Sequence, residues 1–193
     1  MKKYALFLAI FIALLSLSCS SDDSNSSTNL GVLTVNGQSF PLTKGFIIPN
    51  YTGNNPSYNP RRFYFILTND EVSLINNQYI YGNGIKQLIN FNMYVSSTHA
   101  GSVENTTYPI YDTSDPNFSW DNAYIDHSGI NTNVVIQNNS YVSSTSLSSD
   151  DLDGQATISK NDTTYTITFS FSNAQNTVFG NYTGPLTDLN YLY

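Results

Sequence analysis

The chain has 193 residues, with 7 Lys and Arg against 14 Asp and Glu, a formal charge of −7, and one cysteine. Binding to a phosphate backbone needs clustered basic side chains, and beyond the first few residues only Arg61 and Arg62 are adjacent, so nucleic acid is excluded as a partner. A lone cysteine excludes an internal disulfide, and stability must come from a packed core.

The N-terminus starts with Lys2 and Lys3, continues as an apolar run over 4–17, and reaches small residues at Ser18 and Cys19. The run is shorter than the roughly 20 apolar residues of a membrane span and meets a polar stretch at once, which predicts a secretory signal over 1–18. Leu15-Ser16-Leu17-Ser18-Cys19 resembles the lipobox of bacterial lipoproteins, with Ser16 and Leu17 where such boxes usually carry Leu and a small residue. The resemblance implies that Cys19 is acylated and becomes the first residue of the mature chain.

Residues 20–29, SSDDSNSSTN, have no apolar periodicity and nothing to bury, so 19–30 reads as a lipidated cysteine and a tether. The order Cys19-Ser20-Ser21-Asp22-Asp23 resembles the start of Bacteroidota lipoproteins. That resemblance implies that Asp22 and Asp23 act as an export signal, and that the protein sits on the outer membrane facing the cell surface. Loss of 1–18 leaves 175 residues with five basic and 14 acidic side chains, a formal charge of −9. Electrostatic docking on anionic lipid is therefore disfavoured, and acyl chains would carry the membrane attachment.

Residues 31–193 read as one β domain. Short alternating runs at 32–35 and 38–42 flank Asn36-Gly37, the pair that supplies positive φ to a two-residue hairpin. A run follows at 45–48, and 62–68 is apolar on both faces, as in a central covered strand. Only 70–77 leaves room for a short helix. At 88–95, Ile89, Phe91, Met93 and Val95 share a face, with Asn90, Asn92 and Tyr94 opposite. Further strands are predicted at 120–125, 134–137, 155–160 and 177–182. Asn161-Asp162 reads as a turn, followed by the clearest strand, in which Tyr165, Ile167, Phe169 and Phe171 alternate with Thr164, Thr166, Thr168 and Ser170.

Strands of this length, joined by Asn, Gly, Ser and Pro clusters, predict an all-β fold: an antiparallel β-sandwich or a flattened β-barrel of about 8 to 10 strands. The polar stretches 50–60 and 96–119 are expected to project from one rim, where binding loops usually sit. Segment 154–186 ends in Val178-Phe179-Gly180-Asn181-Tyr182-Thr183-Gly184-Pro185-Leu186 and resembles the closing hairpins of small Bacteroidota lipoprotein domains. This likeness implies location and fold class only.

Catalytic constellations are sparse. His99 lies in a polar stretch, and Asp126-His127-Ser128 are consecutive rather than convergent, so a Ser-His-Asp system is not expected. Glu71 and Glu104 are the only glutamates, the aspartates stand mostly in turn contexts, and two distant histidines give no zinc spacing. Asp150-Asp151-Leu152-Asp153-Gly154 offers oxygen ligands to a hard cation but reads better as a hairpin connection. No cofactor or metal is expected.

The densest aromatic patch is Tyr108, Tyr111, Phe118, Trp120 and Tyr124, interleaved with Asp112, Asp115 and Asp121. There, Trp120 is expected either to stack on a sugar, with Asp121 or Asp115 taking hydroxyls, or to cap the core. The sequence thus predicts a non-catalytic, anchored surface module that contacts a glycan or an envelope protein. A glycan-binding lipoprotein assisting polysaccharide capture and a hydrolase with an unrecognised site are the alternatives.

Overall fold

Period-two alternation in this chain resolves into two stacked sheets. The computed structural model describes residues 29–49, 61–76, 78–148 and 152–189. Among them, the first sheet is formed by β1 (Gly31–Val35), β2 (Gln38–Leu42), β8 (Thr106–Pro109), β11 (Asp153–Asn161), β12 (Thr164–Ser172) and β13 (Thr177–Pro185), in the order β2-β1-β13-β12-β11-β8. The second is formed by β3 (Lys44–Pro49), β4 (Arg62–Thr68), β7 (Leu88–Tyr94), β9 (Tyr124–Gln137), β10 (Ser140–Ser148) and β14 (Thr187–Asp188), in the order β10-β9-β7-β4-β3-β14. Pairing is antiparallel except for β14 beside β3. The sheets pack face to face as a sandwich, not a closed barrel, and their joined edge carries an Ile110–Ile125 bridge. With the separate hairpin β5 (Val72–Ile75) and β6 (Gln78–Tyr81), the described residues hold fourteen strands, more than the expected 8 to 10.

The core between the sheets takes Phe65, Phe91 and Met93 from one side and Ile158, Ile167, Phe169, Phe171 and Tyr182 from the other. The faces expected for 88–95 and for the strand after Asn161 are the faces buried here. Strand β4 is apolar on both sides because a second cluster lies on the outer face of its sheet. Phe46, Ile48, Ile66, Ile85, Val134 and Ile136 pack there with Val72, and Leu74, Tyr79 and Tyr81 of the hairpin close over them.

Several expectations need correction. Segment 70–77 holds strand β5, not a helix. The run 120–125 is not a strand from its start: Trp120 lies in a turn and β9 begins at Tyr124. Residues 134–137 are the end of that same 14-residue strand. Its continuity is hidden by a bulge at Asn133, where φ is +53° and the register to β10 shifts. Ile130 faces the inter-sheet core, whereas Val134 and Ile136, the same parity further on, face the outer cluster. The stretch 96–119 is not one projecting loop; it contains a 3-10 turn at Ser97–His99 and the edge strand β8. The turn placed at Asn161-Asp162 falls one residue later, since Asn161 pairs with Thr164 and Asp162 has φ +56°. Asn36-Gly37, with φ of +50° and +82°, makes the predicted hairpin turn.

Gly154, the second residue of β11, has φ +147°, and a Cβ there would land on the carbonyl oxygen of Ser170. Its own carbonyl accepts the Ile110 amide at 2.9 Å and so fixes the segment leading to the aromatic patch. Gly154→Val is expected to cost about 2–3 kcal/mol or more, read as a lowered midpoint in urea, because strained backbone and steric overlap add. A midpoint within experimental error of wild type would contradict this backbone conformation.

Candidate functional site

The patch is built on a chain of tight turns. The amides of Asp115, Phe118 and Asn122 donate to the carbonyls of Asp112, Asp115 and Ser119, giving three i-to-i+3 turns in 112–122. Asp and Ser suit the first position of such turns because their side chains accept amides two residues on. Asp112 Oδ1 accepts the Ser114 amide at 2.8 Å and hydroxyl at 2.6 Å, and Asp115 Oδ1 accepts the Asn117 amide at 2.9 Å. The Ser119 hydroxyl likewise accepts the Asp121 amide at 3.2 Å.

Arg61 ties this loop to the sandwich. Its Nε donates to the Val95 carbonyl at 2.9 Å, and Nη2 donates to those of Trp120 at 2.7 Å and Asn122 at 3.2 Å. The Asp121 carbonyl also accepts the Ser97 amide at 2.9 Å. A loop held at this many points presents its side chains without a large ordering cost on binding.

Four rings converge on the loop. Trp120 meets Phe118 edge-on at 4.9 Å between centroids and Tyr124 at 5.6 Å, and Tyr111 lies 5.9 Å from Trp120. Tyr124 is 5% exposed and stacks on Tyr94 at 4.8 Å, with the Arg62 guanidinium over the far ring. Burial pushes the Tyr124 phenol up to about 12, so it stays protonated and neutral. Trp120 is 56% exposed and Tyr111 38% exposed, so these two rings form the outer ridge over a buried Tyr124 base. The expectation that Trp120 caps the core is thereby overturned: the turn points it outward. Tyr108 does not belong to the ridge. At 1% exposure it lies in the core, where its hydroxyl donates to the Glu104 carbonyl at 2.9 Å.

Beside the ridge runs a groove of about 400 Å³, lined by Asp112, Asp115, Asn117, Phe118, Asn122 and, deeper, Glu104 and Ser96. The Ser114 hydroxyl and amide hold the Asp112 carboxyl below the usual carboxylate range. Asp121 is exposed on the same loop but does not line the groove. Aspartate-first turns in the order Asp112-Thr113-Ser114-Asp115-Pro116-Asn117 are the sequence signal for this wall. Arg61 gives no signal, being 59 residues from Trp120.

The groups considered for catalysis stand apart. In β9, Ser128 is buried, His127 is exposed, and Asp126 Oδ2 accepts the Asn92 amide at 2.8 Å beside Arg62. His99 Nδ1 lies 3.0 Å from the Ser96 hydroxyl and 3.4 Å from Glu104 Oε1, so a single ring nitrogen serves both and cannot relay a proton between them. Among the described residues, no group of three or more His, Cys, Asp or Glu is placed to hold a metal ion. Asp150 and Asp151 lie outside the described residues, as do Cys19, Asp22 and Asp23.

The ridge and groove stand at one end of the sandwich. Strand β1 begins at Gly31, opposite Tyr182, and ends at Val35, opposite Val178. Val178 pairs with Phe171, Phe171 with Gly154, and Gly154 holds Ile110 next to the ridge. Gly31 is thus level with Ile167 of β12 and the ridge end with Phe171, four residues or about 13 Å apart along the strand. No protein-family model, curated protein or solved structure matches this chain.

Proposed function

We propose that this protein is a non-catalytic lipoprotein, anchored through Cys19 to the outer membrane at the cell surface, that binds glycan chains on the ridge of Tyr111, Phe118 and Trp120. The observation that carries the reading is Trp120, the only tryptophan of the chain, held outward and 56% exposed on a loop fixed by turns and by Arg61. Leaving large rings in water is unfavourable unless a ligand covers them, and a sugar ring supplies a flat face of C–H groups for that purpose. Asp112, Asp115, Asn117 and Asn122 beside the ridge offer acceptors and donors to sugar hydroxyls.

The anchored part of the reading rests on the sequence over 1–23. The non-catalytic part rests on the separation of Asp126, His127 and Ser128 and on the shared nitrogen of His99.

Trp120→Ala is expected to leave the melting temperature within a few degrees of wild type, because the side chain adds little to the core, and to weaken retention on polysaccharide affinity gels at least tenfold. A variant that binds as wild type sinks the ridge as the ligand surface. A large drop in melting temperature would return Trp120 to a structural role.

A further inference from the structure

We infer that the groove beside the ridge is a charge filter, admitting neutral and amino-bearing glycans and turning away those that carry carboxylate or sulfate. This rests on the glycan-binding reading and names the class of ligand for the same site. Three carboxylates, Glu104, Asp112 and Asp115, line the groove, and among the described residues no Lys or Arg does. They are not equivalent. Glu104 is committed to the loop, Oε2 accepting the Ser96 amide at 3.0 Å and Oε1 facing His99. Asp112 and Asp115 each use Oδ1 for their own turn, and Oδ2 of neither has a hydrogen-bond partner among the described residues.

Those two free acceptor oxygens suit hydroxyl or ammonium donors. An acidic sugar would bring its charge against several carboxylates with no cation lining the cavity to offset it. The basic groups at the margin are turned elsewhere: Arg61 donates to the carbonyls of Val95, Trp120 and Asn122, and His99 faces Ser96 and Glu104. The hydrogen bonds from the Ser114 hydroxyl and amide lower the Asp112 pKa and so favour its charged form. Phe118 also lines the groove, and an aromatic ring there attracts an ammonium group.

The test is affinity electrophoresis of the intact exported protein in gels containing hydroxyethylcellulose, laminarin, xylan or galactomannan as neutral glycans, chitosan as the amino-bearing one, and carboxymethylcellulose or polygalacturonate as acidic ones. Retention is expected in at least one neutral gel or in chitosan, with the chitosan component weakened by salt, and none in the acidic gels. Asp112→Asn with Asp115→Asn keeps the side-chain oxygen each turn needs. That double variant should lose the salt-sensitive chitosan component and weaken neutral binding less, because Asn still offers an oxygen to sugar hydroxyls; a chitosan component that keeps its strength and salt response overturns the filter. Retention in carboxymethylcellulose or polygalacturonate comparable to that in a neutral gel overturns the filter and leaves glycan binding standing. No retention in any gel overturns both.

Discussion

Phe169→Ala is expected to destabilise the protein by about 3–5 kcal/mol, and Thr168→Ala, one residue away, by no more than about 0.5 kcal/mol. Phe169 is 4% exposed, with its ring 5.5 Å from that of Phe91 on the facing sheet and 6.2 Å from Phe171 on its own. Truncation removes apolar area, leaves a cavity that these rings cannot fill without shifting, and forfeits two ring contacts. Thr168 lies on the outer face, between Thr157 and Asn181 on the neighbouring strands, in a row open to solvent. At about 2–4 °C per kcal/mol for a chain of this size, the first variant should melt roughly 10 °C lower and the second within a degree or two. Equal losses would mean a register slipped by one residue, which would exchange the buried and exposed faces of the whole strand.

This strand was legible in the sequence because one face is covered and the other is not, so chemistry alternates with geometry. The same holds for β7. Strand β9 shows where such reading fails. Ile130, Thr132, Val134 and Ile136 look like one face, yet Asn133 at positive φ reverses the facing, so the first and the last of them enter different clusters. Strand β10 fails for another reason. Its sequence, SYVSSTSLS, has no apolar face because it is an edge strand whose outer side is organised by hydroxyls, with Ser144 and Ser146 donating to Asn131 Oδ1 at 2.9 and 2.6 Å. Hydrophobic periodicity carries no information about a strand held that way.

The site was legible in part for a local reason: its rings and carboxylates fall within one short stretch of chain, so proximity in sequence forecast proximity in space. What the sequence did not disclose was direction. Tyr108, on a strand, turns inward because β8 completes the first sheet, whereas Trp120, in a turn, points outward. Nor could it disclose Arg61, whose three carbonyl contacts join segments far apart in the chain.

Cys19→Ala is expected to move the protein from the membrane fraction to the soluble one while leaving the β domain folded. Each buried methylene of an acyl chain contributes about 0.8 kcal/mol, so one chain of ordinary length gives marginal, reversible binding and two or more hold stably. Once 1–18 is removed, neither charge nor a spanning helix among the described residues offers a substitute. The mature chain would carry a formal charge of −9, with no polybasic segment to hold anionic lipid, and among the described residues no helix is long and apolar enough to span a bilayer. Cys19 is also the only cysteine, so its loss breaks no cross-link, and the urea midpoint of the released domain should equal that of the wild type in detergent. The two measurements separate the outcomes. Release after a carbonate wash with an unchanged midpoint is the result that lipid anchoring requires. A variant that stays with the membrane and folds normally would mean that the domain itself, or an uncleaved N-terminal segment, makes the attachment, and Cys19 would lose its role.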